Sequence, residues 1–121
     1  MAKHNELGKQ GESIARRYVQ ENGYDILELN WRFEKSEIDI IAQKEGMIIF
    51  IEVKTRSTNH FGYPEKAVHF QKQTKLLQAA EEFLIQKNIF GEIRFDIISI
   101  TLHRDKPDIL HLEDAFFPNQ F

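Results

Sequence analysis

Apolar residues recur along this chain first at the spacing of a helix and then at that of strands. Leu7, Ile14, Ala15, Tyr18 and Val19 fall three, four and seven positions apart. That predicts a helix over about Asn5 to Asn22, ended by Gly23 where a helix terminus needs positive φ. Tyr24 to Trp31 then carries Ile26, Leu27 and Leu29, and a polar turn at Glu34 to Ser36 follows. Glu37 to Gln43 and Met47 to Thr55 are parted by Lys44-Glu45-Gly46, so the expectation is three strands in a meander. Ser57 to Tyr63 is polar, and Pro64 suits a first helical turn. Phe70, Thr74, Leu77, Ala80, Phe83 and Leu84 continue at helical spacing to about Asn88, before Gly91 breaks the pattern. Ile93 to Thr101 reads as a fourth strand, with Ile109 to Leu112 as a fifth pairing with it. The predicted order is αβββαβ with a final β, in one α/β domain spanning residues 1–121.

Charge interrupts the apolar pattern in two places. Glu52-Val53-Lys54 closes the run Met47 to Ile51, and Asp39 sits among Ile38, Ile40 and Ile41. Burying either carboxylate unpaired would cost several kcal/mol. Side chains in a strand alternate faces, which puts Glu52 and Lys54 on one face with Ile48 and Phe50 and turns Ile49, Ile51 and Val53 the other way. A two- or four-residue loop about Glu45-Gly46 sets Asp39 directly opposite Glu52 and Glu37 opposite Lys54. A three-residue loop would shift that register. Opposed carboxylates repel unless a cation lies between them. Magnesium takes a few carboxylate oxygens and leaves other positions to water and phosphate, and Asp39, Glu52 and the Val53 carbonyl supply such a half-shell, with manganese as the alternative ion. A metal held there polarises a phosphodiester and lowers the pKa of a bound water, and Lys54 orients that water or balances the developing charge. Glu12, near Gly8 and Gly11 where backbone can approach closely, is an accessory ligand candidate. Glu-x-Lys alone is a weak signal, expected about once in 250 residues. Its position at the end of a buried strand, after an Asp-bearing partner, is what gives it weight.

Composition adjusts this picture little. The net charge of −3 argues against a polyanionic partner. Its distribution softens the objection: residues 1–80 hold 12 Lys and Arg against 11 Asp and Glu, whereas residues 81–121 hold 4 against 8. The absence of cysteine excludes disulfides and thiolate zinc sites. No apolar stretch in Met1 to Gln20 reads as a signal peptide, and none in the chain approaches the roughly 20 residues of a membrane span, so a cytoplasmic protein with no membrane partner is expected.

The combination of Gly11-Glu12, Asn30-Trp31-Arg32, Glu37-Ile38-Asp39, Phe50 to Arg56, Lys72-Gln73 and Arg94-Phe95-Asp96 covers nearly the whole chain. It resembles the YraN family of bacterial endonuclease-like proteins. More broadly, Asp39 followed thirteen residues on by Glu-x-Lys resembles the PD-(D/E)xK nuclease superfamily and, in size and layout, archaeal Holliday junction resolvases. Ile38 stands at the superfamily's proline position, which leaves the Asp in place. Ser36 stands where the YraN pattern usually has glycine. The resemblance implies a restriction-endonuclease-like αβββαβ core, with a mixed central sheet flanked by helices. It also implies a magnesium-dependent endonuclease acting on DNA, including branched or junction DNA. The alternative is a nucleic-acid-binding module of the same fold that does not cut, and a structural or protein-interaction domain ranks below both.

The remaining candidates concern the partner. Thr55 and Arg56 leave the third strand where a guanidinium can grip a flanking phosphate. Lys66, Lys72, Gln73 and Lys75 make the second helix locally basic, and Trp31 and Arg32 suit stacking on nucleic acid, although a lone Trp ending a strand is more often core. Arg94 and Asp96 share a strand face as a structural pair or as a border of the site. The five histidines show no ligand-like clustering and argue against zinc, and His60 alone invites a test. Phe116, Phe117 and Phe121 suit capping of the core or a homodimer patch, and general burial of apolar residues favours capping.

Overall fold

In a computed structural model, residues 2–57 and 70–115 are described. The polar segment with Pro64, Lys66 and His60, and the tail with Phe116, Phe117 and Phe121, lie outside the described residues. The elements are α1 (Ala2–Glu21), β1 (Asp25–Phe33), β2 (Ser36–Lys44), β3 (Met47–Ser57), α2 (Phe70–Lys87), β4 (Ile93–Leu102) and β5 (Asp108–Leu112). They are the predicted elements in the predicted order. The five strands form one sheet in chain order, antiparallel except for the parallel pair β3 and β4 that α2 connects. The architecture is a mixed α/β sheet flanked by helices.

Helix ends follow local chemistry. At the end of α1, Tyr24 N donates to Val19 O and Gly23 N to Gln20 O, with Gly23 at φ 86. This double closure needs a left-handed residue, which glycine adopts without steric cost. The same closure ends α2, where Ile89 N donates to Leu84 O and Asn88 N to Ile85 O. There Asn88, at φ 56, takes the left-handed position rather than Gly91, because an asparagine side chain tolerates that conformation. Between β2 and β3 the turn is the two residues Glu45 and Gly46, both at positive φ. Such a turn matches the twist of a hairpin and fixes its register.

Each sheet face carries one helix. Leu76, Ala79, Ala80 and Phe83 of α2 pack on Ile41, Ile48, Phe50, Phe95 and Ile97, whereas Ala15 and Val19 of α1 pack on Ile40, Ala42, Ile49, Ile51, Ile98 and Ile100. Trp31 closes the α2 side edge-on to Phe83, with 5.5 Å between ring centroids. It is partly buried against the core, as a lone Trp ending a strand more often is. α1 lies so close to β3 that a Cβ on Gly11 would stand 1.7 Å from Thr55 Oγ1. Only glycine allows that approach without displacing the strand, whereas a Cβ on Gly8 would meet nothing.

Strict alternation fails at one place in β2. Ile38 belongs to the α2-side core, but Ile40, two residues on, belongs to the α1 side. Across from this step Asn30 takes φ 50, between the rungs Leu29↔Ile40 and Trp31↔Ile38. Asp39 is the residue in the middle.

Candidate active site

The β2–β3 ladder runs from Lys44↔Met47 to Ile40↔Ile51, where the described pairing stops. One rung further the same register sets Asp39 against Glu52, as the two-residue loop requires. In a continuing ladder the next hydrogen-bonded pair would join Val53 to Ile38, exchanging N–H and C=O on both sides. Val53 N instead donates to Asp39 Oδ2 at 2.8 Å. Asp39 thus occupies the gap where the two strands part. The N–H and C=O of one strand residue point to the same edge, so the Val53 carbonyl also faces this gap. The expected opposition of Glu37 and Lys54 does not form, because the strands have already separated. Glu37 pairs with Arg32 across β1 and lies 3.6 Å from its guanidinium.

Glu52 extends from the buried part of β3, its side chain 8% exposed. Beneath it is a void of about 10 Å³ walled by Ile38, Phe50, Leu76 and Phe95, too small for any ligand beyond one water. Two ammonium groups share its Oε2: Lys72 Nζ at 2.5 Å and Lys54 Nζ at 3.5 Å. Lys54 comes from the same face of the same strand, as alternation predicts. Lys72 reaches in from α2, a contact between residues 20 apart that no sequence pattern signals.

The electrostatics follow from this crowding. Burial, with the Glu52 charge beside it, pushes the Asp39 carboxyl from 3.8 up to about 8, against the opposing pull of the Val53 N–H. Burial, with repulsion from Lys72, lowers the Lys54 ammonium below its ordinary value despite Glu52. Burial also opposes the charge on Lys72, but the close Glu52 carboxylate prevails and raises it. Of the two lysines, Lys72 holds its proton more tightly and Lys54 releases it more readily.

Asp39 lines two cavities on opposite faces of the sheet. One, of about 500 Å³, is bordered by Lys35, Ser36, Glu37, Glu52, Lys72 and Lys75. The other, of about 240 Å³, is bordered on the α1 side by Lys9, Glu12, Arg16 and Asn30. Glu12 Oε1 accepts from Asn30 Nδ2 at 3.2 Å, so its carboxylate stands on the α1 side and acts on Asp39 only through its charge. Among the described residues no group of three or more His, Asp or Glu side chains converges as a metal cluster. The donor set is two carboxylates and one backbone carbonyl, all hard oxygens, which is the chemistry magnesium takes when water and phosphate complete its octahedron.

The other candidates are dispersed. Thr55 packs its side chain against Gly11, Arg56 and Gln73 are half-buried on β3 and α2, and Arg32 is exposed beside Glu37. Arg94 and Asp96 form the structural pair. The guanidinium donates Nε and Nη2 to both carboxylate oxygens at 2.8 Å and also reaches Tyr24 Oη. His111, which no local pattern singles out, joins them. Its Nε2 lies 2.7 Å from Asp96 Oδ2 and its Nδ1 3.0 Å from Tyr18 Oη. Its signal is spatial only, since β5 brings it beside β4 at Ile98.

Comparison with known proteins gives a consistent result. The model of a family described as "Uncharacterised protein family UPF0102" matches residues 11–100. A UPF0102 protein of Flavobacterium psychrophilum is 49% identical over 97% of this chain and 98% of its own length. One of Bacteroides thetaiotaomicron is 42% identical over the full length of both chains. Among solved structures, Pyrococcus furiosus SfsA in complex with Ca2+ is similar at 14% identity and a TM-score of 0.37, covering 91% of this chain and 63% of that one. That likeness is too distant to bear on function. No helix among the described residues is long and apolar enough to cross a membrane.

Proposed function

We propose, from the premise that this chain belongs to the uncharacterised protein family UPF0102, that it is a magnesium-dependent endonuclease hydrolysing DNA phosphodiester bonds. The observation that carries the reading is the parting of β2 and β3 at Asp39 and Glu52. The break leaves two opposed carboxylates and the Val53 carbonyl facing one gap, at the mouth of a cavity lined by Lys35, Lys72 and Lys75. The Glu52 charge, with burial, raises the cost of ionising Asp39. The two lysines meet Glu52 and not Asp39, and a divalent cation between the carboxylates would relieve the cost at Asp39.

In this reading Asp39, through Oδ1, and Glu52 hold the ion, with the Val53 carbonyl beside them. When bound, magnesium supplies polarisation of the scissile phosphate and a more acidic water. Lys54, whose ammonium burial holds below its ordinary value, would orient the attacking water or offset the charge that builds on the phosphate oxygens. Glu12 steadies the α1 side through Asn30. Arg56, Gln73 and Arg32 are the candidates for gripping phosphates that flank the scissile one. Cutting a four-way junction takes two sites, so a junction substrate carries with it a homodimer.

The test is calorimetric titration of magnesium and manganese into wild type and Asp39→Asn, beside cleavage of linear, nicked and four-way-junction DNA. Metal-dependent heat and cleavage, both lost in the variant, are expected. DNA binding that survives Asp39→Asn, with no cleavage under either ion, would replace the nuclease with a binding module of the same fold.

A further inference from the structure

Glu52 has one more cation than a structural ion pair requires. Lys54, on the same strand face and 26% exposed, already sits 3.5 Å from Oε2. Lys72 is brought to the same oxygen from a separate helix at 2.5 Å, although its side chain is 43% exposed. Ordering a long lysine side chain costs rotamer entropy that a surface ion pair barely offsets. Charge balance makes the excess specific. With both carboxylates ionised, Asp39, Glu52, Lys54 and Lys72 form a neutral set, and a divalent ion added to it leaves two uncompensated positive charges in a half-buried site. One ammonium must leave or an anion must arrive. Lys54 is the more buried of the two, 26% exposed against 43% for Lys72, and does not line the adjoining cavity. Lys72 lines the cavity of about 500 Å³ together with Lys35 and Lys75, and rotation about its own side-chain bonds suffices to carry Nζ off Glu52 into that space.

We propose that Lys72 is a displaceable counter-ion: it holds Glu52 while the site is free of metal, and turns into the cavity toward a nucleic-acid phosphate when a divalent cation takes Glu52. The proposal rests on the metal-binding reading above and adds to it an exchange between ammonium and metal. Two consequences follow from linkage. The ion pair lowers the apparent affinity for the cation, since metal and ammonium compete for one carboxylate. A bound phosphate that engages the freed Lys72 raises it, so cation and DNA bind cooperatively. The site is then held closed to stray metal until substrate is present.

Two measurements on the intact chain test this. Free Mn2+ is counted by electron paramagnetic resonance during titration of wild type, Lys72→Gln, Lys72→Arg and Lys75→Gln, each first shown to be folded by circular dichroism. Lysine acetylation by an activated acetate ester is followed at Lys72 and Lys75 by peptide mass spectrometry, with and without Mn2+. Lys72→Gln is expected to bind Mn2+ about tenfold more tightly than wild type, the equivalent of one lost competing ion pair. Lys72→Arg, which keeps the pair, stays within about twofold, as does Lys75→Gln. Mn2+ accelerates acetylation of Lys72 several-fold and leaves Lys75 unchanged. Wild type that binds Mn2+ with no gain in Lys72→Gln, and no change in Lys72 acetylation, overturns the exchange while leaving the metal site standing. Absence of Mn2+ binding in wild type and in Lys72→Gln alike overturns both. Binding in Lys72→Gln alone supports the exchange in its strongest form.

Discussion

Asp39 carries the largest perturbation among the candidate residues, and its consequence for folding can be signed. Burial and the Glu52 charge hold its carboxyl near pH 8 in the folded chain, against 3.8 ordinarily. Between those values the folded protein keeps a proton that the unfolded chain has given up, so folding weakens as pH rises through that window and the full penalty is reached above about pH 8. Asp39→Asn removes the titration and keeps an oxygen for the Val53 N–H. The metal-free variant should therefore melt above wild type at about pH 9, with the gap shrinking toward about pH 6, where Asp39 is already protonated. Thermal melts in chelator across that range measure it, and a gap that does not change with pH would mean that Asp39 is ionised throughout. The candidate carboxylates were legible in the sequence because charge inside an isoleucine run is conspicuous. Their partners were not. The Val53 N–H, the Asn30 amide and the Lys72 ammonium come from backbone or from distant elements, and nothing in local spacing marks them.

At the scale of elements, the hairpin register was legible only as a condition on loop length, which the two-residue turn at Glu45-Gly46 then meets, while alternation along β3 put Glu52 with Lys54 and Ile51 with Val53. The step between Ile38 and Ile40 was not, since a change of face within a strand depends on Asn30 in the neighbouring strand. Of the second polar cluster only the Arg94–Asp96 pair was legible. Asp96, with its side chain fully buried, joins β4 to β5 through His111, to α1 through His111 and Tyr18, and to the segment after β5 through the Asp114 N–H. Burial works against its charge, but His111, Arg94 and that N–H outweigh burial and hold it below the ordinary carboxylate value. Asp96→Asn leaves the largely buried Arg94 with only the exposed Glu113 carboxylate, 3.6 Å away, as counter-ion, and a loss of about 3 kcal/mol in urea unfolding at neutral pH is expected. Because a depressed carboxylate stabilises above its unfolded pKa and stops doing so as pH falls through its folded one, wild type and variant should converge as pH falls below 3.8 and through that depressed value. A loss under about 1 kcal/mol would show that the network is held by its apolar surroundings instead.

Across the whole molecule, the two cores never mix. α1 and its isoleucines occupy one face of the sheet, α2 and its phenylalanines the other, and the candidate site lies where β2 changes from one to the other. Asp39 borders cavities on both faces, Lys72 ties the site to α2, and Glu12 with Asn30 ties it to α1 and β1. A ligand binding there makes contact, directly or through one neighbour, with both helices and three strands. Occupancy should then stabilise the chain as one cooperative unit rather than tighten a single loop. An ion at a hundred times its dissociation constant adds about 2.7 kcal/mol to folding, which for a chain of this size corresponds to a rise in Tm of about 10 °C. Mn2+ at that ratio should raise the Tm of wild type by about this amount at mildly alkaline pH, in a single sharpened transition seen alike by far-ultraviolet circular dichroism and Trp31 fluorescence. Trp31 reports because it packs on Phe83 of α2 and so senses the core on that face. Asp39→Asn should show less than a quarter of that shift. Equal shifts in the two proteins would place the ion on the acidic surface instead, where residues 81–121 carry their excess of carboxylates.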